Sequence, residues 1–500
     1  MKALPKRFRV LDRLRREPLG NALFSLAGDS AAYLAGGVLL GLGNVVLIPL
    51  YTRTLTPSEF GVYALLDVTI LLLVAVTALK LDVSYLKWFA DIEPSRRGEL
   101  FGTILLAGAA ASTIGGLFLF WAVAGPLGGS WLQARAANWA WLLLPIVILE
   151  NLQSLLLTDL RARRRAVSYS AAPVLRLACM TLASYYLLAV RHAGLSGLFL
   201  GRFAGDAAGV LYLLTISLRV VSWRFSASLL GPMLRFGLPL IWSNFAVLLQ
   251  DAAGRYFLSR SGTLEDVAVL GAAIKVGSVF QILIAAPFGV AWGGLLFQIA
   301  KQPNARLIYS KILHYLYVFA FGVALVLSIL GPILIHLFTS PAYFSAIGIL
   351  PLIFLVRAMN VVEQPAATGI YLAGKTAYFA GIYTVALFVN LLCLRAFVPR
   401  YGVIGVGWAW LIGAASVPLL ELAIGQRLYR LTIHSKLVLI PVLAWIVAVR
   451  WLPLQFSGVS TTKVWLAVLA AAMVAASLAA LVASDFRWAR RGMAMREINE

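Results

Sequence analysis

The chain of 500 residues is too apolar to be a string of soluble domains, because 61% of it is hydrophobic and 12% is charged, whereas globular proteins have roughly 45–50% apolar and about 25% charged residues. A membrane-spanning helix needs about 20 apolar residues, and the runs that meet this requirement leave too little polar chain for a separate catalytic or DNA-binding domain. The net charge of +22 must therefore be tested as a topology signal before it is taken as a sign of nucleic-acid binding.

The chain begins with a strongly basic segment. Residues 1–20 carry seven basic side chains, with Leu4, Phe8 and Leu11 at helical spacing. This pattern predicts a cytoplasmic interfacial helix on an anionic inner leaflet. A cleaved signal peptide is not expected, because the apolar segment that follows is longer than the apolar core of such peptides and carries Asp29.

From residue 22 onward, apolar runs bounded by Gly, Pro and charged residues predict fourteen membrane-spanning helices. We expect them near residues 22–50, 60–80, 98–124, 139–158, 167–190, 195–218, 233–258, 266–297, 310–337, 342–362, 376–398, 402–426, 437–453 and 464–483.

Lysine and arginine are distributed unevenly between the connecting segments. If both termini are cytoplasmic, 28 of the 42 Lys and Arg residues lie in inner segments and 8 in outer segments. Positively charged residues favour the cytoplasmic side of a membrane, so both termini are predicted to be cytoplasmic. The excess charge is then a topology signal, and nucleic acid is not expected as a partner.

The segment between the first two spans has the signature of a helix start. Thr56 can cap the helix, Pro57 suits its first position and Glu59 can close a capping box. A shift of 207 residues places Thr263 on Thr56, and the same shift places Asp266 on Glu59. The seventh and eighth spans therefore look like a copy of the first and second. Repeated halves are a common plan for transporters, with the substrate path between the repeats.

The predicted fold class is an all-α integral membrane protein of about 14 transmembrane helices, with two pseudo-repeated six-helix lobes plus two C-terminal helices. The expected divisions after the basic segment are an N-terminal lobe (21–220), a C-terminal lobe (221–430), a helix pair (431–485) and a cytoplasmic tail (486–500).

Two spans carry signals for helix packing and bending. Glycine recurs at every fourth position from 197 to 209 in the sixth span, which predicts the close approach of another helix. In the eighth span, Pro287 and Gly289 should bend or break the helix, which is tolerated where a helix lines a cavity or is buried in protein.

Ionisable side chains at membrane depth are rare and usually face the bundle interior. Two pairs stand four residues apart, Arg202 with Asp206 and Asp251 with Arg255, and could neutralise each other along one helix face. The remaining charges, of both signs and on both halves, predict a hydrated central cavity. The charged residues expected at membrane depth are Asp29, Asp67, Glu150, Arg176, Arg202, Asp206, Asp251, Arg255, Lys275, Arg357 and Glu421.

The sequence offers no pattern for a catalytic, metal or nucleotide site. The four histidines have no Cys, His or carboxylate at metal-ligand spacing, and Cys179 and Cys393 both lie in apolar runs. Glycine-rich phosphate-binding patterns are missing, and the outer loops are short. We therefore expect a transporter without cofactor or metal rather than an enzyme.

A specific pattern lies between Asn44 and Leu65, where the sequence reads Pro…Thr-Arg-x-Leu-x-Pro-x-x-Phe-Gly-x-Tyr. This segment resembles the polysaccharide transporter family, the Wzx-type oligosaccharide flippases of the multidrug/oligosaccharidyl-lipid/polysaccharide exporter (MOP) superfamily. In the second half, residues 255–259 and 269–275 look like the family's Asp-Arg-Tyr-x-Leu … Gly-x-Tyr-x-x-Ala-x-Lys stretch. Gly254 departs from it, since the family usually has Asp there, although Asp251 one turn away could replace that carboxylate.

The resemblance implies two six-helix lobes that form a V around a central cavity, open to one side at a time. It implies a cargo of polyprenyl-pyrophosphate-linked oligosaccharide, moved from the cytoplasmic to the outer leaflet of the bacterial inner membrane for lipopolysaccharide or exopolysaccharide biosynthesis. The implied partners are this substrate and membrane lipids, with a glycan polymerase and glycosyltransferases as further candidates.

The resemblance also gives roles to the charged residues. The candidate substrate-binding cations are Arg53, Arg255, Lys275 and Arg357. Energy can come from the membrane potential or from protons or sodium at ion-coupling candidates, which are Asp29, Asp67, Glu150 and Asp251. Three alternatives stay open: a lipid II flippase, a cation-coupled drug antiporter and, from another class, a membrane component of glycan polymerisation or ligation.

Overall fold

The computed structural model describes residues 47–124, 140–163 and 165–432, together with seven residues between 465 and 476. The basic segment 1–20, most of the first predicted span with Asp29, and nearly all of the last two predicted spans lie outside the described residues. In the described part, all regular structure is helical, which confirms the predicted fold class.

The described first half contains seven helices, of which α6 continues as a π-helical turn at Tyr186–Val190. They are α1 (47–54), α2 (Pro57–Thr77), α3 (Leu81–Asp91), α4 (Arg97–Ala124), α5 (Leu143–Ala162), α6 (Ala166–Tyr185) and α7 (Gly194–Ser217).

The second half repeats the alternation of long helices and short turns. A π-helical turn at Gln281–Ala285 joins α9 to α10, immediately before Pro287. A 3₁₀ segment, Pro341–Gly348, precedes α12. The helices are α8 (Ala227–Ser261), α9 (Leu264–Phe280), α10 (Ala286–Ile299), α11 (Ala305–Phe338), α12 (Leu350–Ala366), α13 (Thr368–Leu372) and α14 (Ala377–Leu428).

Most of these helices match the predicted spans to within a few residues, but α3 was not predicted and the helical chain of the tenth span continues to Leu372 instead of ending at residue 362. In the described residues, eight helices are long and apolar enough to cross a membrane, and the bent pair Pro341–Gly348 and Leu350–Leu372 makes a ninth. The 52-residue α14 corresponds to two predicted spans, because Gly402 breaks the helix with φ 51° and ψ −127°. The chain is therefore a multi-pass membrane protein.

The two predicted helix starts are both present as capping boxes. At α2, Thr56 Oγ1 accepts from the Glu59 amide at 3.3 Å while the Glu59 carboxylate accepts from the Thr56 amide at 2.9 Å. At α9, Thr263 and Asp266 make the same exchange at 3.2 and 2.9 Å. Following the predicted orientation, we call the end of the bundle that carries these two turns the outer end and the opposite end the inner end.

The helices pack in two groups joined by α8. In the first group, α7 packs on α5 and α6, and in the second, α12 packs on α11 and α14. At its inner end α8 contacts the first group, where Ser84 Oγ donates to the Met233 carbonyl at 2.9 Å. Further along, α8 packs on α14, where Trp410 Nε1 donates to the Gln250 carbonyl at 3.0 Å. The two groups correspond to the predicted lobes, whose boundaries near 220 and 430 stay predictions.

The predicted glycine stripe lies at the contact between α7 and α6. A Cβ on Gly201 would lie 2.2 Å from Ser184 Oγ, and one on Gly205 would lie 2.7 Å from the Arg176 carbonyl oxygen. The two backbones are therefore closer than any larger residue at these positions would permit. This close approach positions the charged residues of α6 and α7 next to each other.

Candidate functional site

A cavity of about 690 Å³ lies between the two lobes, within the size range of small-molecule sites, roughly 300–1,000 Å³. Its walls come from α2, α5, α6 and α7 of the N-terminal lobe and from α8, α9 and α12 of the C-terminal lobe. Its outermost lining residues, Tyr63 and Gly271, stand six and seven residues into their helices, so the cavity begins roughly 9 Å below the outer end at 1.5 Å per residue. Val74 and Leu157, near the inner ends of α2 and α5, also line it.

The outer end between the lobes is closed by direct contacts. Ser340 Oγ donates to the Thr52 carbonyl at 2.8 Å, and the rings of Phe60 and Tyr343 pack edge to face with centroids 5.5 Å apart. A Cβ on Gly61 would lie only 2.1 Å from the Leu264 carbonyl oxygen, so the capped turns of the two repeats touch through their backbones. We call this contact surface the outer seam. The outer seam therefore separates the cavity from the outer end of the bundle.

The N-terminal lobe contributes a buried ion network to the cavity wall. Arg202 on α7 donates to Glu150 at 2.7 Å and to Asp67 at 2.8 Å. Arg176 on α6 donates to the same Glu150 oxygen at 3.0 Å and forms an ion pair with Asp206 at 2.5 Å. The sequence-based expectation that Arg202 and Asp206 neutralise each other is therefore wrong, because each finds its partners on other helices.

Arg255 on α8 links the lobes. One guanidinium nitrogen donates to the Ala64 carbonyl of α2 at 2.6 Å and another to Asp251 at 3.1 Å. The expected pairing of Asp251 with Arg255 along α8 is thus confirmed. Near these groups, the hydroxyl groups of Tyr256 and Thr69 form a second bond between α8 and α2. In this conformation Arg255 lines the cavity but is committed mainly to contacts between the lobes.

Lys275 on α9 extends from the C-terminal lobe to the N-terminal network. Its Nζ donates to the Tyr63 hydroxyl at 3.0 Å and lies 5.0 Å from the centre of that ring. The nearest carboxylate oxygen, on Asp67, is 3.8 Å away, which is beyond hydrogen-bond distance. Its side chain is 24% exposed, so the ammonium group is accessible from the cavity.

Arg357 on α12 is a half-buried cation. It forms no ion pair with any described residue, and its Nε has no hydrogen-bond partner there. The side chain lines both the central cavity and a second, adjoining cavity of about 360 Å³ within the C-terminal lobe. Asp251 and Arg255 are the charged groups near enough to act on it.

The described charged side chains around the cavity leave an excess of positive charge. The N-terminal network and Lys275 together hold three cations and three anions, so they balance. On the C-terminal side Asp251 balances only one of two guanidinium groups, Arg255 and Arg357. The cavity can therefore accept an anion at Arg357 and Lys275 without breaking any of the short ion pairs. The six members of the balanced group are Asp67, Glu150, Arg176, Arg202, Asp206 and Lys275.

The structure brings together six of the eight residues that were singled out from the sequence. Asp67, Glu150, Asp251, Arg255, Lys275 and Arg357 all line the central cavity. Arg53 is exposed and is not among the lining residues, because it lies at the end of α1 on the outer side of the seam. Asp29 lies outside the described residues.

The sequence analysis missed Tyr63 and Glu363. Tyr63 accepts from Lys275, and Glu363 lines the second cavity. A tyrosine within an apolar run gives no signal of its own. The tenth span was predicted to end at residue 362, immediately before Glu363, but the helical chain continues to Leu372. The Glu363 carboxyl group therefore lies within the helical stretch and not at its end.

Gly254, the departure from the family pattern, has a packing reason. A Cβ at this position would lie 2.6 Å from Nε1 of Trp410, which comes from α14. The indole therefore occupies the space in which an aspartate side chain would begin. Asp251, one turn earlier on α8, supplies the carboxylate that pairs with Arg255.

The sequence matches no family model and no curated protein. Solved structures nevertheless match most of the chain. Lipid II flippase MurJ in its inward closed conformation is similar with a TM-score of 0.73 and 12% identity, over 92% of this chain and 99% of that chain. An inward-facing multidrug resistance transporter of the MATE family, in the MOP superfamily, gives 0.64 and 15% identity, over 80% and 97% of the two chains. At these identities the likeness establishes the fold, which is that of these membrane transporters.

Proposed function

We propose that the protein is a flippase that moves a polyprenyl-pyrophosphate-linked oligosaccharide from the inner to the outer leaflet by alternating access. The observation that carries this proposal is the central cavity, which is closed at the outer seam, has an excess of positive charge at Arg357 and exposes the ammonium group of Lys275. The fold shared with a lipid II flippase and with MATE transporters supports it.

The cavity chemistry suits an anionic head group. A pyrophosphate takes charge-assisted hydrogen bonds from guanidinium and ammonium groups, which are shorter and stronger than neutral ones. Arg357 has no ion pair with a described residue to give up, and Lys275 can turn from Tyr63 towards a ligand. The polar network of the N-terminal lobe gives hydroxyl-rich sugars donors and acceptors, while the lipid tail stays in the bilayer.

No covalent step is required, since the membrane potential can drive the transfer. Moving two negative charges outward across an inside-negative membrane gains about 2.3 kcal/mol per charge per 100 mV, hence roughly 4–5 kcal/mol. Substrate binding from the inner leaflet would be followed by opening of the outer seam. Arg255 would then lose the Ala64 carbonyl as the lobes rock apart, and its freed guanidinium would bind substrate in the outward-facing state.

Flipping of lipid II is a second candidate, because the similar structure with the TM-score of 0.73 is that of a lipid II flippase. Lipid II also presents a pyrophosphate to cationic side chains, so the same cavity suits it. A drug antiporter that exports cations fits less well, because the unpaired charges in this cavity are positive. The two flippase candidates differ in the attached sugars and peptide, which a transport assay can vary.

The test is a flipping assay in proteoliposomes with defined lipid-linked substrates. Arg357→Gln and Lys275→Gln should each slow flipping about tenfold or more, because a hydrogen bond to a charged group contributes about 1.5–3 kcal/mol. Arg260→Gln is the matched control, since Arg260 is exposed at the outer end of α8.

The assay also discriminates between substrates. Polyprenyl-pyrophosphate oligosaccharide, lipid II and a neutral lipid with the same sugars are offered in parallel, and the first should be flipped fastest. Undiminished flipping by a correctly inserted Arg357→Gln/Lys275→Gln double variant would reject the proposal. Preference for the neutral lipid would reject it as well.

A further inference from the structure

The second cavity, of about 360 Å³, is lined by four amide side chains. Gln250 comes from α8, Gln281 from the π-helical turn before α10, and Asn360 and Gln364 come from α12. None of these amide groups forms a hydrogen bond with another described residue. Gln250 stands eleven residues from the outer end of α8, hence roughly 16 Å from it. Polar groups at membrane depth are costly and usually functional, so four free amides around one space indicate a polar ligand.

The row of side chains that α12 contributes begins at the cation of the substrate site. Arg357, Asn360 and Gln364 are three and four residues apart, a spacing that places side chains in one row along a helix. Arg357 lines both cavities, whereas Asn360 and Gln364 line the second and not the central one. At 1.5 Å per residue the row is roughly 10 Å long. A ligand whose phosphate is bound by Arg357 can therefore place its next group beside the amides.

The lining combines hydrogen-bonding groups with apolar walls. Each amide offers donors and an acceptor, and hydroxyl groups need both. The apolar part of the wall includes Val247, Ile353, Val356, Val417 and the indole of Trp410. A sugar ring has the complementary surface, with hydroxyl groups at its edge and C–H groups on its faces. The volume lies near the lower end of the range for small-molecule sites, roughly 300–1,000 Å³, and suits one small group rather than a complete oligosaccharide.

The charges of the second cavity disfavour a further anionic group. Arg357 is the one cation in its described lining, and the two anions are Asp251 and Glu363. Asp251 is paired with Arg255, and Glu363 accepts a hydrogen bond from the hydroxyl of Tyr383. With a phosphate bound to Arg357, the described lining has no cation left for a second anion. A carboxylate on the sugar would instead be repelled by Glu363, so an uncharged sugar is favoured.

We infer that the second cavity binds the sugar next to the pyrophosphate, and that its four amides select an uncharged sugar at this position. The inference rests on the proposed function and deepens it, because that proposal leaves the sugars unassigned. The two cavities share Gln281 and Arg357, so the following sugars can extend back into the central cavity. A site built to hydrogen-bond substrate hydroxyl groups discriminates strongly against analogues that lack them, because its own polar groups then stay unpaired.

The first experiment measures binding without transport. Full-length protein in lipid nanodiscs is titrated calorimetrically with three soluble probes: methyl diphosphate, the 1-diphosphate of an uncharged sugar and the 1-diphosphate of the corresponding uronic acid. The uncharged sugar diphosphate should bind about tenfold or more tightly than methyl diphosphate, because each neutral hydrogen bond contributes about 2–10-fold. The uronic acid diphosphate should bind more weakly than the uncharged sugar diphosphate, because its carboxylate meets Glu363.

Apolar replacements of similar size then remove the amides one at a time. Gln364→Met and Asn360→Leu should each reduce the advantage of the sugar diphosphate by about 2–10-fold. Both should bind methyl diphosphate as the wild type does, which also shows that they are folded. Gln281→Met guards against misfolding, because Gln281 is exposed, and should have the same effect. Gln298→Met is the matched control, because Gln298 is an exposed amide on α10 that lines neither cavity.

The second experiment measures flipping in proteoliposomes. Two polyprenyl-pyrophosphate oligosaccharides are compared, which differ only in whether the sugar next to the pyrophosphate is uncharged or a uronic acid. The wild type should flip the first one faster. Gln364→Met should reduce this preference, and Gln298→Met should retain it.

The outcomes separate the two proposals. Equal binding of the sugar diphosphate and methyl diphosphate by the wild type, or no binding of either, overturns the sugar subsite even if lipid-linked sugars are flipped; this is the result if the amides bind only water. An advantage that survives in all three amide variants overturns it too, and tighter binding of the uronic acid overturns its selectivity. If the binding differences are as expected but no lipid-linked sugar is flipped, the proposed flippase function fails and the sugar subsite stands.

Discussion

The substitution Gly61→Ala should weaken the outer seam. Its Cβ would lie 2.1 Å from the Leu264 carbonyl oxygen, whereas ordinary contacts begin near 3.4 Å, so the two capped turns would have to separate by about 1.3 Å. Overpacking of this kind typically costs about 1–3 kcal/mol. Only the closed seam contains the clash, so the equilibrium should shift about 5–150-fold towards the outward-open state.

Disulfide formation across the seam measures this shift. Thr52→Cys and Ser340→Cys replace two residues joined by a 2.8 Å hydrogen bond, in a background that lacks Cys179 and Cys393. In the Gly61→Ala background the cross-linking rate should fall by about 5–150-fold, the same factor as the shift in the equilibrium. Gly381→Ala is the control, because nothing lies within 4 Å of its Cβ position.

The reasoning would be refuted if Gly61→Ala cross-linked as fast as the Gly381→Ala control. It would also be refuted if both substitutions slowed cross-linking equally, since the effect would then not come from the Leu264 contact. Either result would mean that the outer seam is not closed by the backbone approach of the two repeats.

Three further substitutions test the network, the departure from the family pattern and the repeat. Arg202→Met leaves Asp67 and Glu150 without their main partner and should lower the free energy of unfolding by about 3–5 kcal/mol, measured by thermal unfolding against the exposed control Arg224→Met. Gly254→Asp, which introduces the residue usual in the family, should destabilise the fold by about 1–3 kcal/mol. In a Trp410→Ala background the same substitution should cost much less, because the indole that it would meet is gone; equal effects in both backgrounds would argue against the clash. Thr263→Ala removes a helix cap and should lower stability by about 0.5–2 kcal/mol, while Thr263→Ser should retain it, as circular dichroism melting curves can show.

Helix positions and helix starts followed from the sequence because both depend on local chemistry. An apolar run of sufficient length is a span wherever it lies, and a capping box needs only residues that are three apart. The two capping boxes, of Thr56 with Glu59 and of Thr263 with Asp266, were therefore predictable. Their similarity also predicted that the two helix starts are repeats of each other. The break at Gly402 was predictable in the same way as the gap between two apolar runs.

Partners across helices were not predictable, because they depend on how the helices pack. Arg202 and Asp206 are spaced for an ion pair along α7, yet Asp206 pairs with Arg176 on α6. The glycine stripe explains the difference, since Gly205 brings the Arg176 backbone so close that the neighbouring Asp206 reaches its guanidinium group directly. The stripe was recognised in the sequence as a packing signal, but which helix it would meet was not.

The ion pair between Asp206 and Arg176 determines the charge of the cavity wall. Because Asp206 is neutralised from α6, Arg202 is free to bridge Asp67 and Glu150, and the network of the N-terminal lobe is balanced once Lys275 of the C-terminal lobe is counted with it. Positive charge without a partner then remains only on the C-terminal side of the described cavity, at Arg357. If an anionic head group binds there, it binds to the C-terminal lobe. The substrate would then act on α12, and the N-terminal lobe would be the fixed surface against which the C-terminal lobe moves.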